Sequence, residues 1–304
     1  MCVRPPMKFP ALLKPGSRVA LVAPAGPLRD ETDLERAVTS VHGCEWEPVV
    51  GAHVLERDGY LAGVDAHRIA DLNRFAADES IDGIWCIRGG YGTMRLLDSV
   101  DYEAWQRHPK ALIGYSDITA LHAAIGQRAA LITFHGPTAR GEMTPFSRAS
   151  LQAAVIDGCD SGGSAPDALT LQPGRAEGRL VGGNLALVTS LIGTRYEPSF
   201  DGAILVLEDV NESVYRLDRM FTQLRLSGSL DQLAGIALGQ FTDIPVESAN
   251  ETRPLLDLLY EVADQCAVPC LAELPIGHTP DQWTIPLGAT AELDADNKTL
   301  MVIR

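Results

Sequence analysis

Short apolar runs alternate with stretches of helical period through the first half of this sequence. Arg18 to Ala23, Trp46 to Val50, Ile81 to Ile87, Ala111 to Gly114 and Leu131 to Pro137 read as strands. Between them, Asp30 to His42 and Asp65 to Ala77 place apolar residues on one face, and Asp65 reads as the cap of the second helix. The alternation continues to Asp157 and predicts a parallel sheet with helices on both faces. The second half departs from it. Ala203 to Leu207 is a wholly apolar strand, Val214 to Leu226 an amphipathic helix, Gly235 to Phe241 a strand and Pro254 to Cys266 a helix, and from Trp283 to Val302 residues alternate as in antiparallel strands. The expected fold is α/β: a Rossmann-like or flavodoxin-like parallel-sheet domain over 1–160, and a mixed α/β domain over 161–304 with a β-rich end. The stretch Asp160-Ser161-Gly162-Gly163-Ser164-Ala165-Pro166 reads as the linker.

Chemistry collects where strands end. Gly114 stops the run Ala111-Leu112-Ile113, Ser116 follows, and from Asp117 the pattern turns helical with Ile118, Leu121, His122 and Ile125 in register. A strand that turns sharply into a helix lifts a hydroxyl into a cleft, and the Asp117 N–H at the helix start points the same way. Ser-Asp before a helix is equally an ordinary cap, and the second glycine of G-x-S-x-G is missing. Pro24-Ala25-Gly26-Pro27 ends the first strand in a tight loop, of the kind that faces ligands in open α/β sheets or simply turns the chain. Arg88-Gly89-Gly90-Tyr91-Gly92 has neither a dinucleotide nor a Walker pattern, so its bare N–H groups suit an oxyanion, with Gly90 as a donor beside Asp117. Glu208 closes an apolar strand, as a buried functional carboxylate or an exposed strand end. His135 ends another strand as a base or a structural hydrogen-bonder, and Asn184 caps a helix to Ile192. His278 lies in a loop without helical period, where chemistry is a better use for it than packing.

Forty acidic against 25 basic residues give a net charge of −15, which argues against nucleic-acid and membrane-surface partners. Cys2, Cys44, Cys86, Cys159, Cys266 and Cys270 form no C-x-x-C pair, so a reduced protein with no metal and no cofactor is expected. Met1 to Pro10 carries three prolines and no long apolar run, so it does not read as a signal peptide.

The blocks Val22-Ala23-Pro24-Ala25-Gly26-Pro27, Gly59-Tyr60-Leu61-Ala62-Gly63, Trp85 to Gly92, Ile113 to Leu121, Phe134-His135-Gly136-Pro137, Gly182-Gly183-Asn184-Leu185, Leu207-Glu208-Asp209, Tyr215 to Met220 and Leu274-Pro275-Ile276-Gly277-His278 follow in a specific order. In that order the chain, from Arg18 to Ala289, resembles the LD-carboxypeptidase family of serine peptidases, which includes muropeptide LD-carboxypeptidases and microcin C immunity peptidases. The resemblance implies a Ser116–Glu208–His278 triad with Ser116 as nucleophile, His278 as base and Glu208 as its orienting carboxylate. It implies backbone oxyanion donors at Gly90 and Asp117 and a structural role for His135. Arg88, Tyr91, Arg216 and Arg219 are candidates to bind substrate. The triad would straddle the two halves, whose relative motion would assemble it. The implied function is hydrolysis of the L,D-amide of a cytoplasmic muropeptide, tetrapeptide to tripeptide with release of D-alanine, by a homodimer. Two readings stand beside it: an immunity peptidase acting on aminoacyl nucleotides, for which 182–198 offers Tyr196 but no tryptophan as a base platform, and a catalytically inactive small-molecule or peptide-binding protein. A dehydrogenase lacks the dinucleotide fingerprint.

Overall fold

The computed structural model describes residues 7–245 and 253–303; Cys2 and the first six residues of the proline-rich start lie outside this range. The first half runs β1 (Arg18–Val22), α1 (Glu31–His42), β2 (Glu47–Val50), α2 (Asp65–Ala77), β3 (Gly83–Cys86), α3 (Tyr102–Arg107), β4 (Ala111–Gly114), α4 (Thr119–Ala129), β5 (Thr133–His135) and α5 (Pro145–Gln152). The second runs β6 (Gly163–Ser164), β7 (Leu169–Gln172), β8 (Arg175–Asn184), α6 (Leu185–Leu191), β9 (Ala203–Val210), α7 (Val214–Leu226), β10 (Gly235–Thr242), α8 (Leu255–Cys266), β11 (Cys270–Ala272), β12 (Ile285–Leu287), β13 (Thr290–Asp294) and β14 (Thr299–Ile303).

Two sheets carry the molecule. The first has the order β12-β5-β4-β3-β1-β2. Strands β1 to β5 are parallel, in the 2-1-3-4-5 order of flavodoxin-like sheets, as expected from the alternation. Strands β3 and β4 are buried on both faces, which explains their continuous apolar runs. The order reverses between β1 and β3, the switch point at whose carboxyl ends open α/β sheets bind ligands, and the loops after these two strands meet there. The second sheet, β6-β14-β13-β8-β9-β10-β11-β7, is parallel from β8 to β11 and antiparallel at both flanks.

Three local expectations change. Strand β9 does not stop at Leu207: pairing with β8 and β10 carries it to Val210, so Glu208 and Asp209 lie inside the ladder rather than at an exposed end. Val64, whose side chain cannot hydrogen-bond, occupies the cap position of α2, and the Asp65 carboxylate is paired with Arg68 and Arg95 instead of capping the helix. The glycine-serine stretch at 160–166 is bound rather than loose. Gly163–Ser164 forms β6 against β14, and the Ser161 hydroxyl donates to Thr284 O at 2.6 Å.

The halves are stitched at several points. Strand β12, from the second half, pairs antiparallel with β5 as the edge of the first sheet. The Ser147 hydroxyl in α5 donates to Pro280 O at 3.0 Å and accepts from Gln282 N–H at 2.8 Å. Thr144 Oγ1 bonds Asp281 Oδ1 at 2.6 Å, and Thr284 N–H donates to Ser150 Oγ at 2.9 Å. These bonds all hold residues 280–284, which follow directly on His278. The segment that follows His278 is thereby tied to α5 of the first half.

Candidate active site

Ser116 sits at φ 65°, in the left-handed region that costs a residue with a Cβ about 1 kcal/mol or more. The strained turn between β4 and α4 is the elbow expected from the sequence, and glycines surround it. A Cβ on Gly114 would stand 3.1 Å from both Cys86 Cβ and Ile118 Cγ1. One on Gly89 would stand 2.9 Å from Ser116 Cβ, so the glycine-rich loop after β3 closes directly over the elbow. The close approach that a second elbow glycine would allow is supplied here from a neighbouring strand.

The Asp117 side chain ties these two segments together. Its carboxylate accepts from Thr93 N–H at 2.8 Å, while the Thr93 hydroxyl donates to Asp117 O at 2.5 Å. Burial raises the Asp117 pKa, and the hydrogen bonds from Thr93 and Gly92 oppose that rise. Gly26 N–H donates to Gly89 O at 3.1 Å, so the loop after β1 packs on the same assembly. Gly90 is exposed at its mouth with φ 118°.

Glu208 and His278 are brought together across the second sheet. His278 Nδ1 lies 2.8 Å from Glu208 Oε2. Glu208 is fully buried and His278 partly exposed, with 20% of its side chain open to solvent. Burial pushes the Glu208 pKa up. The neighbouring imidazoles of His135 and His278 outweigh that and hold the carboxyl below its ordinary range, hence ionised at neutral pH. His135 Nε2 is 3.6 Å from Glu208 Oε1, an ion-pair contact too long for a hydrogen bond. His135 therefore borders the site from beneath, a neighbour that its position at a strand end did not reveal.

Tyr115 bridges the elbow to the histidines. Its ring centroid lies 4.7 Å from that of His278 and 6.0 Å from that of His135. The residue before Ser116 thus packs against the imidazole from the other half. Sequence reasoning passed over Tyr115; its place beside the serine was the available signal.

The His278 loop is shaped to reach the carboxylate. Gly239, where the β9–β10 register shifts, has no side chain to block Ile276 O, and Gln240 N–H donates to that oxygen at 3.0 Å. The Thr242 hydroxyl donates to His278 O at 3.2 Å. Gly277 has φ 105° and lies against the Glu208 side chain, where an added Cβ would stand 2.6 Å from Glu208 Cβ. Gly277→Ala is expected to lower the melting temperature by several degrees and turnover at least tenfold, because strain and overlap both displace the pair. A thermal melt with initial rates checks this; a fully active, equally stable variant would show that the contact is slack.

Asn184 caps α6 as expected, and Asp209 supports it, accepting from Asn184 Nδ2 and from Ala186 N–H at 2.9 Å each. Burial lifts the Asp209 pKa to about 6 against the pull of these bonds.

The four candidate substrate-binding residues are not gathered together. Arg88 is half-buried beneath the glycine-rich loop, with Nη1 donating to Pro27 O at 2.5 Å and Nη2 3.8 Å from where a Gly90 Cβ would stand. Tyr91 is exposed at the loop tip and meets Tyr60 edge-on at 5.5 Å. Arg216 and Arg219 lie on α7, both over the Tyr215 ring, and Arg216 also pairs with Glu212 at 3.5 Å. Cys86 is buried in the core as expected, and the described cysteines are free thiols. No helix among the described residues is long and apolar enough to cross a membrane.

Comparison with known proteins identifies the family of the whole chain. The profile of the LD-carboxypeptidase N-terminal domain matches residues 19–136, and that of the LD-carboxypeptidase C-terminal domain matches 177–293. The murein tetrapeptide carboxypeptidase of Pseudomonas aeruginosa is 38% identical over 92% of this chain and 94% of its own. The microcin C7 self-immunity protein MccF of Escherichia coli is 30% identical over 84% of this chain and 83% of its own. A solved structure of MccF with glutamyl sulfamoyl guanosine superposes with a TM-score of 0.87, at 27% identity and 99% coverage of both chains. The muramoyltetrapeptide carboxypeptidase of Oxalobacter formigenes superposes with a TM-score of 0.83, at 27% identity over 94% of this chain and 98% of that one. With both domain profiles matched in order and relatives aligned along nearly its whole length, the chain belongs to the LD-carboxypeptidase family of serine peptidases.

Proposed function

We propose that this protein hydrolyses the L,D-amide of a muropeptide, converting the tetrapeptide to the tripeptide with release of the terminal D-alanine, in the recycling of cell-wall fragments. The observation that carries the reading is the buried, ionised Glu208 held 2.8 Å from His278 Nδ1, with His278 packed on Tyr115, the neighbour of a serine kept at positive φ. In this mechanism Glu208 fixes the His278 tautomer, leaving Nε2 to accept the Ser116 proton as Oγ attacks the carbonyl carbon. The N–H groups of Gly90 and Asp117 take the oxyanion. The C–N bond then breaks, His278 returns the proton to the departing D-alanine amine, and water hydrolyses the acyl-serine through the same base. Arg88 is the cation this reading assigns to the substrate's terminal carboxylate, since its Nη2 faces Gly90 while Arg216 and Arg219 are engaged by Tyr215 and Glu212. A homodimer in the cytoplasm, needing no cofactor for catalysis, is part of the same reading, and sedimentation of the purified protein tests the dimer.

The competing reading, an immunity peptidase acting on aminoacyl nucleotides, needs an aromatic face for the base. Tyr196 does not offer one. It is 7% exposed, its hydroxyl donates to Asp98 at 2.6 Å, and its ring packs near Tyr102. The test is incubation with a diaminopimelate-containing tetrapeptide, following free D-alanine by mass, beside an aminoacyl sulfamoyl nucleoside. Turnover is expected to be at least tenfold higher on the peptide. A reversed preference selects the immunity reading, and no hydrolysis of either substrate selects the binding protein.

A further inference from the structure

A second cluster of chemically capable side chains lies on the segment joining β2 to α2. His53 and Glu56 stand on the loop and His67 in the first turn of α2. One imidazole nitrogen or carboxylate oxygen from each lies within 4.8 Å of the other two.

Several features distinguish this cluster from scattered surface charges. Asp71, one turn along α2 from His67, is 4% exposed and organises the loop. It accepts from Ala52 N–H at 3.1 Å and His53 N–H at 2.9 Å, and its Oδ1 lies 3.0 Å from His53 Nδ1. A buried carboxylate on Nδ1 fixes the ring and leaves Nε2 as the free nitrogen, the arrangement that supports histidine ligands in metal sites. His67 Nδ1 faces Glu56 Oε2 at 2.8 Å, and the two imidazole rings lie face to face with centroids 4.4 Å apart. Gly63, at φ 85°, lies against the Glu56 side chain where a Cβ would collide with it, so the backbone is shaped around this carboxylate.

We propose that His53, Glu56 and His67 form a binding site for a transition-metal dication of the zinc type, with Asp71 as the positioning residue for His53. Two imidazoles and one carboxylate suit zinc, nickel or copper rather than magnesium or calcium, which take all-oxygen shells. Metal–ligand bonds of about 2.0–2.1 Å put tetrahedral ligands about 3.3 Å apart. Rotation of the partly exposed side chains closes the remaining gap, and water completes the coordination. A metal ion held between them would take the place of the His67–Glu56 hydrogen bond. The absence of paired cysteines could not reveal such a site, because its donors are histidines and a glutamate brought together by the loop. The same segment abuts the loop after β1: Ala62 N–H donates to Ala25 O at 2.9 Å, one residue from the Gly26 that bonds the loop over Ser116.

The test uses the full chain, free of any affinity tag and treated with a chelator, titrated with zinc against a competing indicator and by calorimetry. One equivalent of zinc is expected to bind and magnesium is not. His67→Ala, at an exposed position that leaves folding intact, is expected to weaken zinc at least tenfold. Asp71→Asn should weaken it about 10- to 100-fold, the range for loss of an outer-shell partner. His42→Ala, on α1 outside the cluster, should change nothing. Absence of stoichiometric zinc binding, or equal affinity in wild type and His67→Ala, would overturn the proposal and leave the cluster as hydrogen-bonded pairs. Circular dichroism of each variant separates lost binding from lost fold.

Discussion

Replacing Ser116 with alanine is expected to lower kcat on the tetrapeptide by about 10⁴-fold or more while leaving substrate affinity nearly unchanged. The hydroxyl is the atom that changes bonding in the proposed reaction, so its loss removes acyl transfer outright. What remains is the smaller acceleration from the oxyanion donors and from holding the substrate in place. Single-turnover mass spectrometry, with calorimetric titration of the product tripeptide, separates the two quantities. Ser116→Gly adds a second signature. At φ 65° a glycine relieves about 1 kcal/mol of backbone strain, so this variant should be equally inactive yet melt slightly higher than wild type. A residue placed for stability would show the opposite balance. Substantial turnover by Ser116→Ala would remove this hydroxyl from the chemistry.

Glu208→Gln is expected to lower kcat by about 10³- to 10⁴-fold with KM nearly unchanged, because the shape survives but the charge facing the developing imidazolium does not. Its effect on stability should depend on pH in a defined direction. Burial opposes the charge on Glu208, but His135 and His278 hold the folded pKa below the unfolded value of 4.5, at about 2. A carboxyl depressed in this way stabilises the fold fully above the unfolded value. That contribution disappears as pH falls from there toward the folded value. The melting-temperature gap between wild type and Glu208→Gln should therefore be widest near neutrality and narrow steadily below pH 4.5. A gap independent of pH would mean that the carboxyl is not ionised in the fold. Glu212→Ala supplies the contrast. Glu212 pairs with the exposed Arg216 at 3.5 Å, a solvent-screened contact, and its loss should leave turnover within a few-fold.

Much of this architecture was legible before any coordinates. The parallel sense of β1 to β5 follows from alternating apolar and helical periods, and the helix at Val214–Leu226 was bounded by its amphipathic face alone. The Ser116 turn was marked by Gly114, even without the second glycine of the usual motif. Other features were not legible, and each depends on partners distant in the chain. Glu208 read equally well as an exposed strand end, because nothing local says that β8 and β10 pair past Leu207. His135 looked like an isolated strand-end histidine until Glu208 was found 3.6 Å away. The stretch at 160–166 has a linker's composition, yet β14 and Thr284 hold it. Proposing Arg88 rather than Arg216 or Arg219 for the substrate carboxylate required knowing that it lies under the glycine-rich loop.

The sequence alone determined the two kinds of sheet, the elbow and the residue types able to act there. Apolar period, glycine and the strand-to-helix turn are properties of neighbouring residues, written within a few positions of each other. The tertiary structure alone decided that a carboxylate and an imidazole 70 residues apart meet at 2.8 Å, and that Tyr115 packs against that imidazole. Those distances depend on strand register, on a bulge in β10 and on the loop anchored to α5. Long-range packing selects these among many arrangements compatible with the same local pattern.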